Sequence, residues 1–423
     1  MNIDNALASQ IVESLRTGIP PQRGVELYSV GNEKIIEGIK KFHFPGMQNH
    51  GIIRFVSGQW GSGKTHFFRL LREVALQNNC LVSNVELEKS SAALNKFQSV
   101  FAAIVRMVAT PSYYAGNTTQ EIAPFGTVIS ESLSWLSTGV HSSGAEVNYD
   151  GYQKAVEKLM SDHGIDIDFK KMVKQYWETF LPEAPDKSIT EQARGEILQW
   201  FGGEGSIGIY RKKYGVSKLV TKDNAKIMLQ SLAGFVRLSG YNGLLILFDE
   251  AEQAYSVMRQ STLREAHNNL LSLINNIETL PGLFLIYATT PDFYSDPKFG
   301  IVIYGALSGR IGKPDDNKYP RALDTIWNLD AVHTELEDYQ KAAVKIKYIY
   351  SSAFPGSEAL LPQDSEVEKR VRELFQQHSH LAGIRFWRLL VSSMIADFDD
   401  HLEGEVRSSD NLYDDIMEKL RNE

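Results

Sequence analysis

Three short runs of consecutive apolar residues stand out along the chain, and each ends at glycine or polar residues. They are "GIIRFVSG" (51–58), "GLLILFDE" (243–250) and "LFLIYATT" (283–290). Apolar runs of this length are typical of strands buried on both faces of a parallel sheet. Because apolar residues recur at helical spacing elsewhere, as in "HFFRLLREVALQ" (66–77), the pattern predicts an α/β protein.

The same pattern divides the chain into regions. "CLVSNVEL" (80–87) predicts the next strand and "NKFQSVFAAIVRMVA" (95–109) an amphipathic helix. Short helical patterns broken by polar loops fill residues 111–224, the sheet resumes near residue 241, and helical patterns dominate after residue 331. The predicted regions are a core of residues 1–110 and 225–330, a helical insertion at 111–224, and a helical lid with an acidic tail at 331–423.

The first apolar run leads directly into a phosphate-binding motif. Residues 58–65 read "GQWGSGKT", which matches the Walker A pattern G-x-x-x-x-G-K-[ST] between a predicted strand and a predicted helix. Glycines let successive N–H groups point at one oxyanion, and the helix N-terminus adds positive potential. Lys64 supplies a charge for the β- and γ-phosphates, and Thr65 offers Mg²⁺ a hydroxyl ligand. The predicted nucleotide-binding residues here are Gly58, Gln59, Trp60, Gly61, Ser62, Gly63, Lys64, Thr65 and the adjacent His66.

The second apolar run ends in two carboxylates, as a Walker B segment does. Asp249 is placed to hold Mg²⁺ through its water shell, and Glu250 is placed to polarise an attacking water. This pair favours hydrolysis over phosphoryl transfer to a small molecule. Because the sequence contains no N/T-K-x-D guanine signature, we predict an Mg²⁺-dependent ATPase with ATP and Mg²⁺ as its ligands.

The third apolar run ends in two threonines. ATPases with a catalytic glutamate often carry a polar side chain at the tip of the neighbouring strand, where it orients the lytic water. We predict that role for Thr290, with Thr289 as the alternative. A simple Thr-Pro turn would give the same sequence.

The bulk composition narrows the class of protein. The chain has one cysteine, Cys80, which excludes an intramolecular disulfide and a Cys-based zinc cluster. It has neither a signal-peptide-like start nor an apolar run of about 18 residues, so we predict a soluble cytoplasmic protein without membrane contact. A net charge of −8 argues against a chain that mainly coats nucleic acid.

The order of these motifs resembles that of AAA+ ATPases, close to the initiator (origin-recognition) branch. "ALSGRIGKP" (306–314) lies before a predicted strand at "TIWNL" (325–329) and places Arg310 where AAA+ proteins usually carry the arginine that reaches a neighbouring subunit's γ-phosphate. "LAGIRFWRLLVSSMIADF" (381–398) resembles the lid helix that begins with the sensor-2 arginine, which would be Arg385, with Arg388 as second choice. The resemblance implies an AAA+-like P-loop NTPase fold, a parallel sheet flanked by helices, with a helical insertion and a C-terminal helical lid.

A narrower resemblance covers nearly the whole chain, about residues 18–400. The sequence is similar to the ATP-binding proteins of bacterial BREX phage-defence systems, the BrxD-like family. The segments that carry this resemblance are "IPPQRGVELYSVGNEKIIEGI" (19–39), "GQWGSGKTHFFRLL" (58–71), "EILQWFGGE" (196–204), "GYNGLLILFDEAE" (240–252) and "LFLIYATTPDFY" (283–294).

The resemblance also implies residue roles and partners. Arg23, Gly24 and Gly31 match positions that wrap the adenine, whereas Trp200 and Glu204 match a family motif whose role the sequence does not give. Related ATPases accompany helicases in other defence islands, which implies a helicase partner, a homo-oligomer, or both.

Three functions remain open from the sequence. The leading one is an ATP-hydrolysing switch or motor in anti-phage defence that works as an oligomer or with a helicase. The second is a nucleotide-dependent assembly platform with little turnover. The third is a DNA-loading ATPase of the initiator kind, which the acidic charge and the lack of room for a winged helix after Phe398 disfavour.

Overall fold

A computed structural model of the chain shows an α/β architecture. It describes residues 3–60, 62–87, 94–112, 125–142, 147–182, 184, 186–249, 258–332, 335–378 and 384–404, and for residues 384 and 385 only the backbone. Three predicted site residues fall outside this description, wholly or in part: Gly61, Glu250 and the side chain of Arg385. Residues 405–423, the end of the predicted acidic tail, lie outside it too. Within the described residues, no helix combines the length and the apolar character needed to cross a bilayer.

The described part of the chain contains one six-stranded sheet. Its strands run in the order β3-β2-β4-β5-β1-β6, and every neighbouring pair is parallel except β2 and β3. Five of these strands, all except β3, coincide with runs that the sequence pattern predicts as strands. Their bounds are β1 Ile52–Ser57, β2 Cys80–Glu86, β3 Val108–Ala109, β4 Gly243–Asp249, β5 Leu283–Thr289 and β6 Ile326–Asn328.

Helices cover both faces of the sheet, as the continuous apolar strands require. The helix Lys64–Gln77, here called the P-loop helix, packs on one face with Leu245, Leu247 and Ile286. The alternate strand residues face the other side, where the helices Phe97–Arg106, Ala225–Leu238 and Gln260–Asn276 pack. The predicted fold is therefore confirmed: a P-loop NTPase-like parallel sheet flanked by helices, with a C-terminal helical region.

The remaining helices are shorter or lie outside the sheet layers. Short helices and turns comprise Val25–Tyr28, Glu33–Gly38, the π-helix Ile39–His43, Phe44–Gly46, Asp292–Ser295, Gly305–Ile311, and the 3₁₀ turns Ile277–Thr279, Ile301–Ile303 and Leu329–Ala331. The region predicted as a helical insertion contains Phe125–Thr138, Tyr149–Ser161, Ile167–Glu178, Lys187–Phe201 and Ile207–Tyr214.

One helix ends earlier than its apolar pattern predicts. The helix that begins at Phe97 stops at Arg106, and the next residues pair antiparallel with β2, Val82 opposite Ala109. The Ser83 hydroxyl donates to the Ile104 carbonyl oxygen at 2.9 Å and so joins the strand to the last turn of the helix. Pairing with a sheet edge satisfies backbone groups that a further helical turn would otherwise satisfy.

The N-terminal helix, Asn5–Arg16, packs against the C-terminal helices. It shares a hydrophobic core with Leu336–Ala353, Asp364–His378 and Ile384–Glu403, here called the lid helices. The guanidinium of Arg16 donates to both carboxylate oxygens of Asp399, at 2.7 and 3.3 Å. The first and last described helices of the chain therefore form one packed unit next to the sheet.

Candidate nucleotide-binding site

A cavity of about 430 Å³ opens at the carboxyl edge of the sheet. The P-loop and the end of β4 form its floor, and the lid helix Ile384–Glu403 closes one side. Its lining is mainly apolar with a few polar groups, as in small-molecule sites generally. The lining residues are Leu15, Gly18, Ile19, Pro20, Tyr28, Ser29, Val30, Asn32, Trp60, Ser62, Gly63, Lys64, Thr65, His66, Phe67, Asp249, Leu329, Val332, Trp387, Arg388 and Val391.

Two glycines make the tight loop before the P-loop helix possible. A Cβ on Gly58 would lie 2.0 Å from the Ser62 hydroxyl oxygen, so only glycine fits where the loop folds on itself. Gly63 has φ +92°, a left-handed conformation that other L-residues rarely adopt. The backbone N–H of Gln59 donates to the Asp330 carboxylate at 2.9 Å, which ties the loop to the turn after β6.

Lys64 folds back over the loop that precedes it. Its ammonium group donates to the carbonyl oxygens of Gly58 at 2.7 Å and Gln59 at 3.1 Å, and lies 5.7 Å from the ring centre of Trp60. Lys64 is only 9% exposed, whereas Trp60 is 64% exposed. The positive charge is thus held by two backbone carbonyl oxygens next to the N-terminus of the P-loop helix. The N–H groups in the first turn of a helix have no acceptor within the helix.

The donor set of this cavity fits a nucleoside triphosphate with Mg²⁺. The Ser62 hydroxyl has no hydrogen-bond partner among the described residues, which leaves it able to donate to a phosphate oxygen. Thr65 is exposed to the cavity, and Asp249, 8% exposed, ends β4 at the same edge. A hydroxyl and a carboxylate are oxygen donors of the kind Mg²⁺ prefers.

The two predicted threonines lie at the end of β5, the strand between β1 and β4: Thr289 is its last residue, and Thr290 follows directly. β5 pairs with both neighbours, and Ser57 lies opposite Thr289. The Thr289 hydroxyl points into the core, 3.1 Å from the Val56 carbonyl oxygen and 2.9 Å from the Tyr294 hydroxyl. Thr290 is buried directly after the strand and does not line the cavity. Since Thr289 is engaged in the sheet, Thr290 remains the predicted water-orienting residue.

Residues 24–32 form a wall of the cavity that we call the strap. Its glycines at positions 24 and 31 have φ +81° and +85°, and the Tyr319 hydroxyl donates to the Gly31 carbonyl oxygen at 2.7 Å. Arg23, immediately before the strap, is half-buried and does not line the cavity. His66 lines the cavity and contacts the strap: its Nε2 lies 2.8 Å from the Ser29 hydroxyl.

The lid contributes an arginine to the cavity. Arg388 lines it, together with Trp387 and Val391. Because the side chain of Arg385 lies outside the described residues, the first choice for the sensor-2 arginine stays a prediction. Two residues three positions apart on one helix share a face, so the motif alone does not separate them.

Arg310 lies away from the cavity of its own chain. It is exposed near the end of the helix Gly305–Ile311 and is not among the lining residues. The helix follows an exposed apolar pair, Val302 and Ile303, each 43% exposed. The predicted role of Arg310 at a neighbouring subunit stays a prediction.

The motif "EILQWFGGE" has a structural explanation. Trp200 is fully buried, and its indole N–H donates to the Lys218 carbonyl oxygen at 3.0 Å. Glu204 forms an ion pair with Arg106 at the end of the helix before β3. Gly203 has φ +73°, which the turn after the helix requires. Glu204 thus joins the insertion to the core, whereas the Trp200 bond lies within the insertion. Neither residue lines the cavity.

Several cavity residues were not predicted from the sequence. Leu15, Ile19 and Pro20 come from the N-terminal segment, and Trp387 and Val391 from the lid. For Leu15, Trp387 and Val391 the sequence shows apolar helical periodicity, which any packed helix produces. Ile19 and Pro20 begin the segment 19–39 that carries the family resemblance, but the resemblance gives them no role. The pairing of the first and last described helices brings Leu15, Trp387 and Val391 to one place.

Comparison with known proteins assigns the chain to a family. The family model described as BREX system ATP-binding protein BrxC/D matches residues 3–420 and confirms the resemblance found in the sequence. No curated protein and no solved structure matches the chain. The chain therefore belongs to the BrxC/D family of BREX system ATP-binding proteins.

Proposed function

We propose that this chain is an Mg²⁺-dependent AAA+ ATPase of a BREX phage-defence system, acting as a switch or motor in a homo-oligomer or with a helicase partner. The observation that carries the proposal is the cavity, in which Lys64, Thr65 and Asp249 meet below a lid. ATP binding follows from the family. Hydrolysis is supported by Asp249, which ends β4, and by the predicted base Glu250, the next residue in the sequence.

Each residue at the cavity would have a separate role in ATP binding or hydrolysis. Lys64 binds the β- and γ-phosphates, and the P-loop N–H groups surround them. Thr65 and Asp249 would hold Mg²⁺, which when bound neutralises phosphate charge. Glu250 would accept a proton from water, Thr290 would orient that water, and the lid excludes bulk solvent.

Removing the metal or its carboxylate should stop the reaction. We expect phosphate release from ATP to require Mg²⁺ and to fall about 10- to 100-fold in Asp249→Asn, because outer-shell carboxylates orient a metal's ligands. A phosphate-release assay with and without EDTA measures both effects. Asp223→Asn, at an exposed position near the end of the insertion, is the matched control. Release that persists in EDTA would contradict the metal's role.

The inter-subunit part of the proposal depends on Arg310. This exposed residue does not line its own cavity, so we propose that it completes the site of a neighbouring copy. We expect Arg310→Ala to lower turnover about 10³-fold, as loss of such an arginine does, while ATP affinity stays unchanged. The measurement is the turnover of Arg310→Ala and of the unmodified chain, both at saturating ATP and at high protein concentration. Arg211→Ala, an exposed arginine of the insertion, should retain full turnover; equal rates for both variants would rule out this role.

A further inference from the structure

The strap is bound to the P-loop helix at two places. Near its beginning, the Glu73 carboxylate, buried on that helix, accepts the backbone N–H of Gly24, and also that of Glu26 at 2.8 Å. Midway along the strap, His66 Nε2 lies 2.8 Å from the Ser29 hydroxyl. His66 comes directly after Thr65, so the helix that holds the phosphates also holds the strap.

The strap is bound to the lid as well. Lys345, on the lid helix Leu336–Ala353, donates to the Ser29 carbonyl oxygen at 3.1 Å. The ring of Tyr28 packs in the hydrophobic core of the lid helices and meets the His66 ring edge-on, with ring centres 5.4 Å apart. Ser29 is therefore the residue at which the P-loop helix and the lid both hold the strap.

The strap belongs to the part of the cavity that suits a nucleoside. The P-loop provides the phosphate-binding groups, whereas the strap and the lid provide a largely apolar wall that includes Val30, Trp387 and Val391. A purine base is flat and apolar on its faces, which fits such a wall. The position of the strap should therefore set the affinity for the nucleoside part of the ligand.

We propose that His66 is a positioning residue for the nucleoside: through Ser29 it fixes the strap relative to the phosphate-binding helix. This role rests on ATP binding in the cavity and does not require hydrolysis. Both ring nitrogens of His66 face the strap: Nε2 lies 2.8 Å from the Ser29 hydroxyl, and Nδ1 lies 3.5 Å from the Tyr28 hydroxyl. The shorter contact, to Ser29, is the one through which the ring fixes the strap.

Comparing ATP with inorganic tripolyphosphate tests this role. We expect His66→Ala to weaken ATP binding about 3- to 10-fold, the range for one neutral hydrogen bond, and to leave tripolyphosphate binding unchanged. His66→Gln places an amide nitrogen near the original Nε2 and should restore most of the ATP affinity. Isothermal titration calorimetry at pH 7.5 measures all of these affinities.

A double-mutant cycle with Ser29→Ala makes the test specific. If His66 acts through Ser29, Ser29→Ala weakens ATP binding by a factor similar to that of His66→Ala. The double variant then binds ATP no more weakly than either single variant. Equal loss of ATP and tripolyphosphate affinity in His66→Ala would place His66 at the phosphates and overturn the inference. Unchanged ATP affinity would overturn it too. Wild-type chain that binds ATP without hydrolysing it would contradict only the proposed function.

Discussion

Replacing Lys64 with alanine should weaken ATP binding about 10- to 150-fold. The ammonium group is buried in the loop, where it donates to two carbonyl oxygens beside the first turn of the P-loop helix. One hydrogen bond to a charged group contributes about 1.5–3 kcal/mol, which converts to this range of affinities. Calorimetric titration with ATP gives the dissociation constants directly.

The control for Lys64→Ala is Lys154→Ala, which removes an exposed lysine from the helix Tyr149–Ser161. We expect the control to bind ATP as the unmodified chain does. Thermal unfolding of both variants shows whether the P-loop variant keeps its fold. A folded Lys64→Ala variant with unchanged ATP affinity would contradict the assignment of this cavity.

Replacing Glu250 with glutamine should separate binding from hydrolysis. A positioned base contributes about 10²- to 10⁴-fold to a rate, so turnover should fall by that factor. ATP affinity should be retained, because glutamine keeps the size of the side chain and Asp249 remains at the end of β4. Phosphate release and ATP retained after gel filtration measure the two properties.

Glu157→Gln is the matched control, because Glu157 is an exposed glutamate of the insertion. We expect its turnover to equal that of the unmodified chain. A Glu250→Gln variant that releases phosphate at the full rate would show that another group activates the water.

The phosphate-binding half of the site is predictable because its geometry is local. Strand, glycine loop and helix follow one another without a gap, and β4 ends in its carboxylate at the same sheet edge. The carboxyl ends of parallel strands lie at the same edge of a sheet, regardless of the length or structure of the segments that connect the strands. The amino-acid sequence is therefore sufficient to predict that Lys64, Thr65 and Asp249 lie at one cavity, as the structure places them.

The nucleoside half is not predictable in this way, because it depends on contacts between distant segments. Arg16 and Asp399 are 383 positions apart, and their ion pair joins the first helix to the last described one. The carbonyl oxygen of Ser29 accepts a hydrogen bond from Lys345, which lies 316 positions later in the chain. An apolar stripe shows that a helix packs on something, but it does not identify the partner.

The Trp200 motif is a case in which the structure adds to what the amino-acid sequence gives. Trp200 and Glu204 match a family motif whose role the sequence leaves open, and neither residue lines the cavity. Trp200 is buried with its N–H bonded to a backbone carbonyl, and Glu204 pairs with Arg106. A buried tryptophan usually has such a partner, so burial and not the motif decides its role.

ATP turnover per subunit, measured over a wide range of protein concentrations, tests the central claim most directly. An active site completed between copies by Arg310 predicts turnover that rises steeply with concentration and is absent from Glu250→Gln. Turnover that stays at the level of that variant at every concentration would contradict the claim that this chain hydrolyses ATP as a homo-oligomer. The chain would then act as a nucleotide-dependent platform, or would hydrolyse ATP only when a partner protein such as a helicase is present.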